Sequence, residues 1–240
     1  MGVTKLTQPI NVNAPDKDIV FDGFDFTADA YVSVTSAKSV AVRNCRIYGL
    51  NTTSKAKNYW LMIDSASPVK LQIENCFFGD NQKSTGSLYN MIEPHVKLSN
   101  ASGVNENYFT AKCCTHNAVN LYGAEENSHI SVNGNVFEVS AGTVRIGVQG
   151  EPVCDIEISG NTILAEHPDY GPDDQGLVTV QPYGTQTTTF KNMTVRMDGN
   201  RCPSEQLIYG YSGSKDLLLT DENMPLIKVD GVEITAPIYH

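Results

Sequence analysis

Several things this chain has little of bound what it can be. Charged residues make up only 18% of its 240 positions, and basic ones are outnumbered seventeen to twenty-seven, for a net charge of −10. Disorder needs low hydrophobicity and high charge, and 40% hydrophobic residues speak against it. Nucleic-acid binders need a Lys/Arg footprint, which is missing, and the same sign disfavours a tightly held acidic polysaccharide. No apolar run approaches a membrane span, and the opening MGVTKLTQPINVNAPDK has no signal-peptide core. The chain is therefore expected to be made in a cytoplasm, with no membrane and no nucleic acid among its partners. Six cysteines form no CxxC pair, and no histidine stands at zinc spacing, so buried reduced thiols are expected, with neither metal nor cofactor. No gap between apolar segments carries ten residues of helical periodicity, which excludes helix-linked βαβ units.

What the chain does have is a repeat. IVFDGFDF from Ile19, VAVRNCRI from Val40, LQIENCFF from Leu71 and SGVNENYF from Ser102 share one pattern. ISVNGNVF from Ile130, IEISGNTI from Ile156, VRMDGNRC from Val195 and LLLTDENM from Leu217 continue it. The third position is apolar in all eight: Phe21, Val42, Ile73, Val104, Val132, Ile158, Met197 and Leu219. So is the eighth: Phe26, Ile47, Phe78, Phe109, Phe137, Ile163, Cys202 and Met224. Alternating apolar residues make a half-buried strand, and Gly or Asn at the fifth position tolerates the left-handed backbone of a sharp corner. Successive copies begin 21 to 39 residues apart, too far for hairpins and about right for one circuit of a parallel coil.

A second set of alternating segments lies between the corners, at Tyr59–Asp64, Tyr89–Glu93, Ala118–Tyr122, Thr143–Val148, Leu177–Gln181 and Gln206–Tyr211. The expected fold is all-β, a single right-handed parallel β-helix of about eight turns, each rising roughly 4.8 Å. It should span residues 19–231, with an extended N-terminal arm over 1–18 and a C-terminal tail over 232–240. Stacking would put Cys45, Cys76, Asn107, Asn135, Asn161 and Asn200 in one column: a cysteine step, then an asparagine ladder bonding along the axis.

The repeats, over roughly residues 19–230, resemble the pectate-lyase-like superfamily of right-handed β-helices. That resemblance implies a scaffold shared by polysaccharide lyases, glycoside hydrolases, adhesins and bacteriophage spike or fibre proteins, so function stays open. The hydrolase motifs N-T-D, G-H-G and R-I-K are missing; Arg145-Ile146-Gly147 lacks the lysine. Asp173 and Asp174 are the one adjacent carboxylate pair at all reminiscent of hydrolase acids, and they lie in a turn-rich YGPDDQG stretch that reads as a loop tip. Lyases would hold Ca²⁺ on a carboxylate face. Asp64, Glu93 and Asp155 or Glu157 could be proposed, but do not share a strand position. His95, His116, His129, His167 and His240 read as loop or surface residues. Tyr59, Trp60, Tyr89, Tyr108, Tyr122, Tyr170, Tyr183, Tyr209 and Tyr211 could stack sugars or pack a partner.

The preferred expectation is a non-enzymatic structural component of a phage virion, a capsid decoration or a head or tail fibre. It would be made in the host cytoplasm, attached to a capsid or tail protein, and assembled as a homo-oligomer, a trimer first. The alternative is a β-helix that binds or degrades polysaccharide, with a glycan as partner; an exported adhesin is a third class. Whatever the task, it should sit in the insertions at 48–60, 79–90 and 165–176 or at the two ends. The repeat register has its own test. Ile73→Asp puts an unpaired charge in the column and should cost several kcal/mol; an unchanged melting temperature would contradict the register.

Overall fold

The alternation of apolar and polar residues in each repeat is the period of a strand, and strands are what these segments form. In a computed structural model the described residues are 3–27, 30–48, 59–79, 88–110, 114–138, 142–146, 153–164, 178–180, 192–201, 208–210 and 225–234. Among them there is strand and turn and no helix, so the protein is all-β.

The first four strands are β1 (Thr4–Leu6), β2 (Ile10–Asp22), β3 (Phe24–Phe26) and β4 (Val32–Arg43). β1 and β3 begin a sheet of seven short parallel strands, continued by Arg46–Ile47, Phe77–Phe78, Tyr108–Phe109, Val136–Phe137 and Thr162–Ile163. The second sheet is built on the long strand β4 and has two arms. From Val32–Val34 one arm runs through Tyr59–Ile63, Leu88–Pro94, Cys114–Leu121, Gly142–Ile146, Val178–Val180 and Ile208–Gly210. From Ser39–Arg43 the other runs through Lys70–Glu74, Ser102–Asn105, Ser128–Ser131, Cys154–Glu157, Met193–Met197 and Leu226–Val229. Along the chain the order is second arm, short-strand sheet, first arm, then the second arm again. Each strand pairs in parallel with its equivalent one repeat later.

The register is the one the repeats imply. Val40 pairs with Leu71, Ser102 with Ile130, Ile130 with Ile156, and Ile156 with Val195. The third-position column Val42, Ile73, Val104, Val132, Ile158 and Met197 is buried, as are Phe26, Ile47, Phe78, Phe109, Phe137 and Ile163 at the eighth. Phe78, Phe109 and Phe137 stack with centroids 4.5 and 4.9 Å apart, the spacing of neighbouring strands, so equivalent rotamers lie on one another. Burying each such ring stabilises the fold by about 1.5–3 kcal/mol. Ser102 is the one polar residue at the first position. It is satisfied: its Oγ donates to Ser99 O (2.6 Å) and accepts from Leu71 N (3.0 Å).

Three expectations need revision. The eighth copy, expected at Leu217–Met224, falls outside the described residues. The strand that pairs with Thr194–Met197 is instead Leu226–Val229, with Ile227 opposite Val195. LIKVDG repeats the pattern through its Asp-Gly corner, and the lack of a following Asn hides it. Residues 232–234, expected in a tail, form a strand. Asp230 (φ 47°) and Gly231 (φ 77°) make a two-residue turn that lays Val232–Ile234 antiparallel on Leu226–Val229. Residues 4–18, expected as an arm, are extended but paired: β1 lies on β3, and Ile10–Ala14 on Val32–Ala37. Paired strands thus precede the first repeat, and a boundary at residue 19 falls inside β2.

Every fifth position is left-handed: Gly23, Asn44, Asn75, Glu106, Gly134, Gly160, Gly199 and Gly231 have φ between 52° and 77°. Glu106 is the outlier in side chain, since the left-handed region costs an L-residue about 1–2 kcal/mol. Glu106→Gly should relieve that strain, less the extra entropy of glycine in the unfolded chain, for a net gain of about 0.5–1 kcal/mol. Thermal unfolding should show it as a rise of about 1–3 °C in Tm; a fall would mean that the Glu106 side chain makes a contact worth more than the strain.

Candidate functional site

Position six of each repeat comes directly after the left-handed residue and points back into the stack. There Asn107 Nδ2 donates to Ile73 O (3.0 Å), Asn135 Nδ2 to Val104 O (2.8 Å), Asn161 Nδ2 to Val132 O (2.8 Å) and Asn200 Nδ2 to Ile158 O (2.6 Å). Each acceptor is the third-position carbonyl one circuit earlier. The cysteines do the same with weaker donors: Cys45 Sγ reaches Phe21 O and Cys76 Sγ reaches Val42 O, both at 3.5 Å. Each asparagine Oδ1 accepts from the circuit before it. Cys76 N donates to Asn107, Asn107 N to Asn135, Asn135 N to Asn161 and Asn161 N to Asn200, all at 2.9 Å. This column is fully engaged in joining successive repeats. It leaves no group for a ligand.

The cysteine step has its own electrostatics. The Cys76 thiol beside Cys45 pulls the latter down to about 7, whereas that same neighbour and burial push Cys76 upward. The two titrate as a pair whose second proton leaves only with difficulty. Cys154 stands apart on the second arm, pushed up to about 11 by burial, with the Asp155 charge adding to it.

A different arrangement occupies the first arm. Glu93 and Asn120 come directly after Ile92 and Val119, which are paired in register, so the two polar residues are neighbours across adjacent strands. Glu93 is only 1% exposed, and Asn120 is fully buried. His95 Nε2 lies 2.9 Å from Glu93 Oε1, and Asn120 Nδ2 donates to Glu93 Oε2 at 3.1 Å. With an N–H already donated to one oxygen, the carboxylate acts as acceptor, so Nε2 carries a proton, and in the neutral imidazole Nδ1 then holds the lone pair. The ring of Tyr122 stands edge-on to His95 at 4.3 Å, and that of Tyr59 at 6.2 Å. The His95 side chain keeps 31% of its surface exposed. Asn120 Oδ1 is buried without a hydrogen-bond partner. A buried carboxylate, an imidazole oriented by it and open to solvent, and two flanking phenols are parts from which binding and acid–base sites are assembled.

The other candidates do not converge. Asp64 directly follows the strand Tyr59–Ile63 that neighbours Glu93's, whereas Asp155 and Glu157 lie on the second arm, where they pair with Arg196 (3.1 Å) and His129 (3.3 Å). Among the described residues no three His, Cys, Asp or Glu side chains gather to hold a metal, and no helix is long and apolar enough to cross a membrane. Asp173 and Asp174, like His167 and His240, lie outside the described residues. On the outside of the short-strand sheet Tyr48, Phe77 and Tyr108 form a tilted row at 5.6 and 5.8 Å. Tyr108 Oη donates to Glu138 Oε2 (2.9 Å), and that bond pushes the phenol upward. Sequence reasoning names Glu93, His95, Tyr59 and Tyr122 separately and misses Asn120. The signal is there: in NMIEPH and NAVNLY, Glu93 and His95 stand over Asn120 and Tyr122 at one interval of 27.

The ladder and the buried thiol each have a measurable consequence. Asn135→Ala leaves Asn107 N and Val104 O buried without partners, at about 1–3 kcal/mol each. Urea unfolding should therefore register a loss of about 3–5 kcal/mol; a loss under 1 kcal/mol would show that the ladder is dispensable. Cys154 binds its proton more tightly when folded than at the ordinary thiol value of 9.0. Its contribution, about 2–3 kcal/mol, is present below pH 9 and lost as pH climbs toward 11. Cys154→Ala should flatten the decline of stability over that window, and an unchanged slope would contradict the shift. No protein-family model matches the chain, and no curated protein or solved structure is significantly similar to it.

Proposed function

We propose that the described strands belong to one right-handed parallel β-helix that serves as a non-enzymatic structural component of a bacteriophage virion. The cyclic order of the two arms and the short-strand sheet supports the coil, and the handedness of parallel crossovers supports its sense. The virion reading rests on one observation, the state of the first circuit. β2 is thirteen residues long and, among the described residues, pairs only with β4. Leu6, Ile10, Val12, Ile19, Phe21 and Phe24 are only partly buried there, whereas Val32, Val34, Val40 and Val42 one circuit on are fully buried. A long strand edge beside half-covered apolar residues invites pairing with another chain, and an assembly protein meets that need by docking on a particle. The protein is then a capsid decoration or fibre, homo-oligomeric and in the first instance trimeric, attached to a capsid or tail protein.

A second reading is favoured by the Glu93–His95–Asn120 cluster with its tyrosines: a β-helix that binds or degrades polysaccharide. Light scattering on the purified chain and co-sedimentation with fibreless or undecorated particles separate the two. An oligomer that sediments with particles supports the first reading. A monomer that stays in the supernatant overturns it, and release of reducing ends from a glycan panel promotes the second.

A further inference from the structure

Along the first arm the residues in register with Glu93 are Asn11, Ser33, Met62, Asn120, Arg145, Thr179 and Tyr209, so Glu93 is the one acidic residue of a mostly polar row and not part of a ladder. Burying a carboxylate costs several kcal/mol unless it is paired, and here the pairing is spent on His95 and Asn120. The effect is to fix the imidazole with Nε2–H pointing inward and the Nδ1 lone pair directed away from the carboxylate. His95 Nδ1 has no hydrogen-bond partner among the described residues, and Asn120 Oδ1, beside the same carboxylate, has none either. His95 Nδ1 is therefore an unused acceptor in a part-exposed side chain, and Asn120 Oδ1 an unused one in a fully buried side chain bonded to the same carboxylate.

We propose that Glu93, His95 and Asn120, with Tyr59 and Tyr122, form a binding site for a neutral saccharide, one hydroxyl of which donates to His95 Nδ1. The inference rests on the second reading above and names its site and ligand class. The chemistry selects the class in three steps. The open imidazole nitrogen accepts, so the ligand must bring a donor. Glu93 behind it and Asp64, which comes just after the partner of Pro94 one strand away, are matched in number by Arg145, in register beside Asn120, and Lys97, two residues past His95, so the locality favours an uncharged ligand over an anion. A cation gains little, because both Glu93 oxygens already accept hydrogen bonds and the residue is 1% exposed. The two phenol rings set edge-on to the imidazole add aromatic surface of the kind that packs against sugar C–H groups. Glu93 is a positioning residue, and His95 the one that touches ligand.

The test uses the whole chain labelled with ¹⁵N, reading the imidazole nitrogens of His95 directly. The free protein should show the Nε2–H tautomer. Titration with neutral gluco-, manno-, galacto- and xylo-oligosaccharides should shift the His95 signals saturably for at least one, while a uronate oligosaccharide leaves them in place. Glu93→Gln should weaken that binding about tenfold by loosening the imidazole, as loss of an orienting carboxylate does elsewhere, with the thermal transition retained. The wild-type titration stands even if the variant fails to fold. Glycan binding that leaves His95 unmoved overturns this site but not the polysaccharide reading, whereas no glycan binding at all removes both. Stronger shifts with a peptide or a uronate than with any neutral sugar overturn the ligand class.

Discussion

The bond from a position-six side chain to the third-position carbonyl of the preceding circuit is the constraint on which the rest depends. A left-handed corner leaves backbone groups facing inward, where an unbonded group is costly. Asn107, Asn135, Asn161 and Asn200 solve this with one amide each, donating backward and accepting from the circuit behind. The C-terminal circuit lacks the donor and takes another course. Met197-Asp198-Gly199 and Val229-Asp230-Gly231 enter the corner alike, with the glycine left-handed in both. After Gly199, Asn200 ties the chain to Ile158 O and the strand direction is kept; after Gly231 stands Val232, and the chain turns back antiparallel. The donor is not needed at every corner: after left-handed Gly23 stands Phe24, and the chain still continues into the parallel strand β3.

The same bond fixes the register, and register decides which residues face the core. Slippage by one residue would exchange the Val42–Ile73–Val104 column for its polar neighbours, so ladder and apolar columns reinforce each other. Cys45 and Cys76 occupy the column with longer, weaker bonds of 3.5 Å. Next to them Asn75 Nδ2 donates to Asn44 Oδ1 (2.7 Å) and Asn44 Nδ2 to Asp22 Oδ1 (2.8 Å), an outer ladder where the inner one is weakest.

This logic also says what can be read from the sequence. Columns repeat one residue type at one position, so Ile73 over Val42 or Asn161 over Asn135 announces itself once the copies are aligned. The last strand does not, because Leu226–Val229 ends the stack and lacks the asparagine that marks the others, while LLLTDENM supplies an apolar pattern with an asparagine in it. The first circuit is hidden for a related reason. Ile10–Ala14 carries Asn11 and Asn13 between its apolar residues but no Gly-Asn corner signature. The Glu93 cluster is assembled from three strands whose spacing depends on the lengths of the intervening segments. Only the register reveals that Glu93 lies beside Asn120.

In a stacked repeat, a polar residue that recurs down a column is accounted for by the stack, however buried it is. A buried charge that occurs once in its row is not. Glu93 is flanked in register by Met62 on one side, and an apolar residue there would remove a buried charge along with the need for its partners. Replacing such a charge and its partners with apolar side chains is commonly neutral or stabilising by about 1–4 kcal/mol. Removing only one partner costs more, because the other is left buried and unpaired. A scaffold selected for stability alone has an easy route to lose Glu93, His95 and Asn120 together, and this chain carries all three with one acceptor open to solvent. The ladder explains why the molecule stands. It does not explain this cluster, and the difference between the two is what marks the cluster as the place where the surface meets something else.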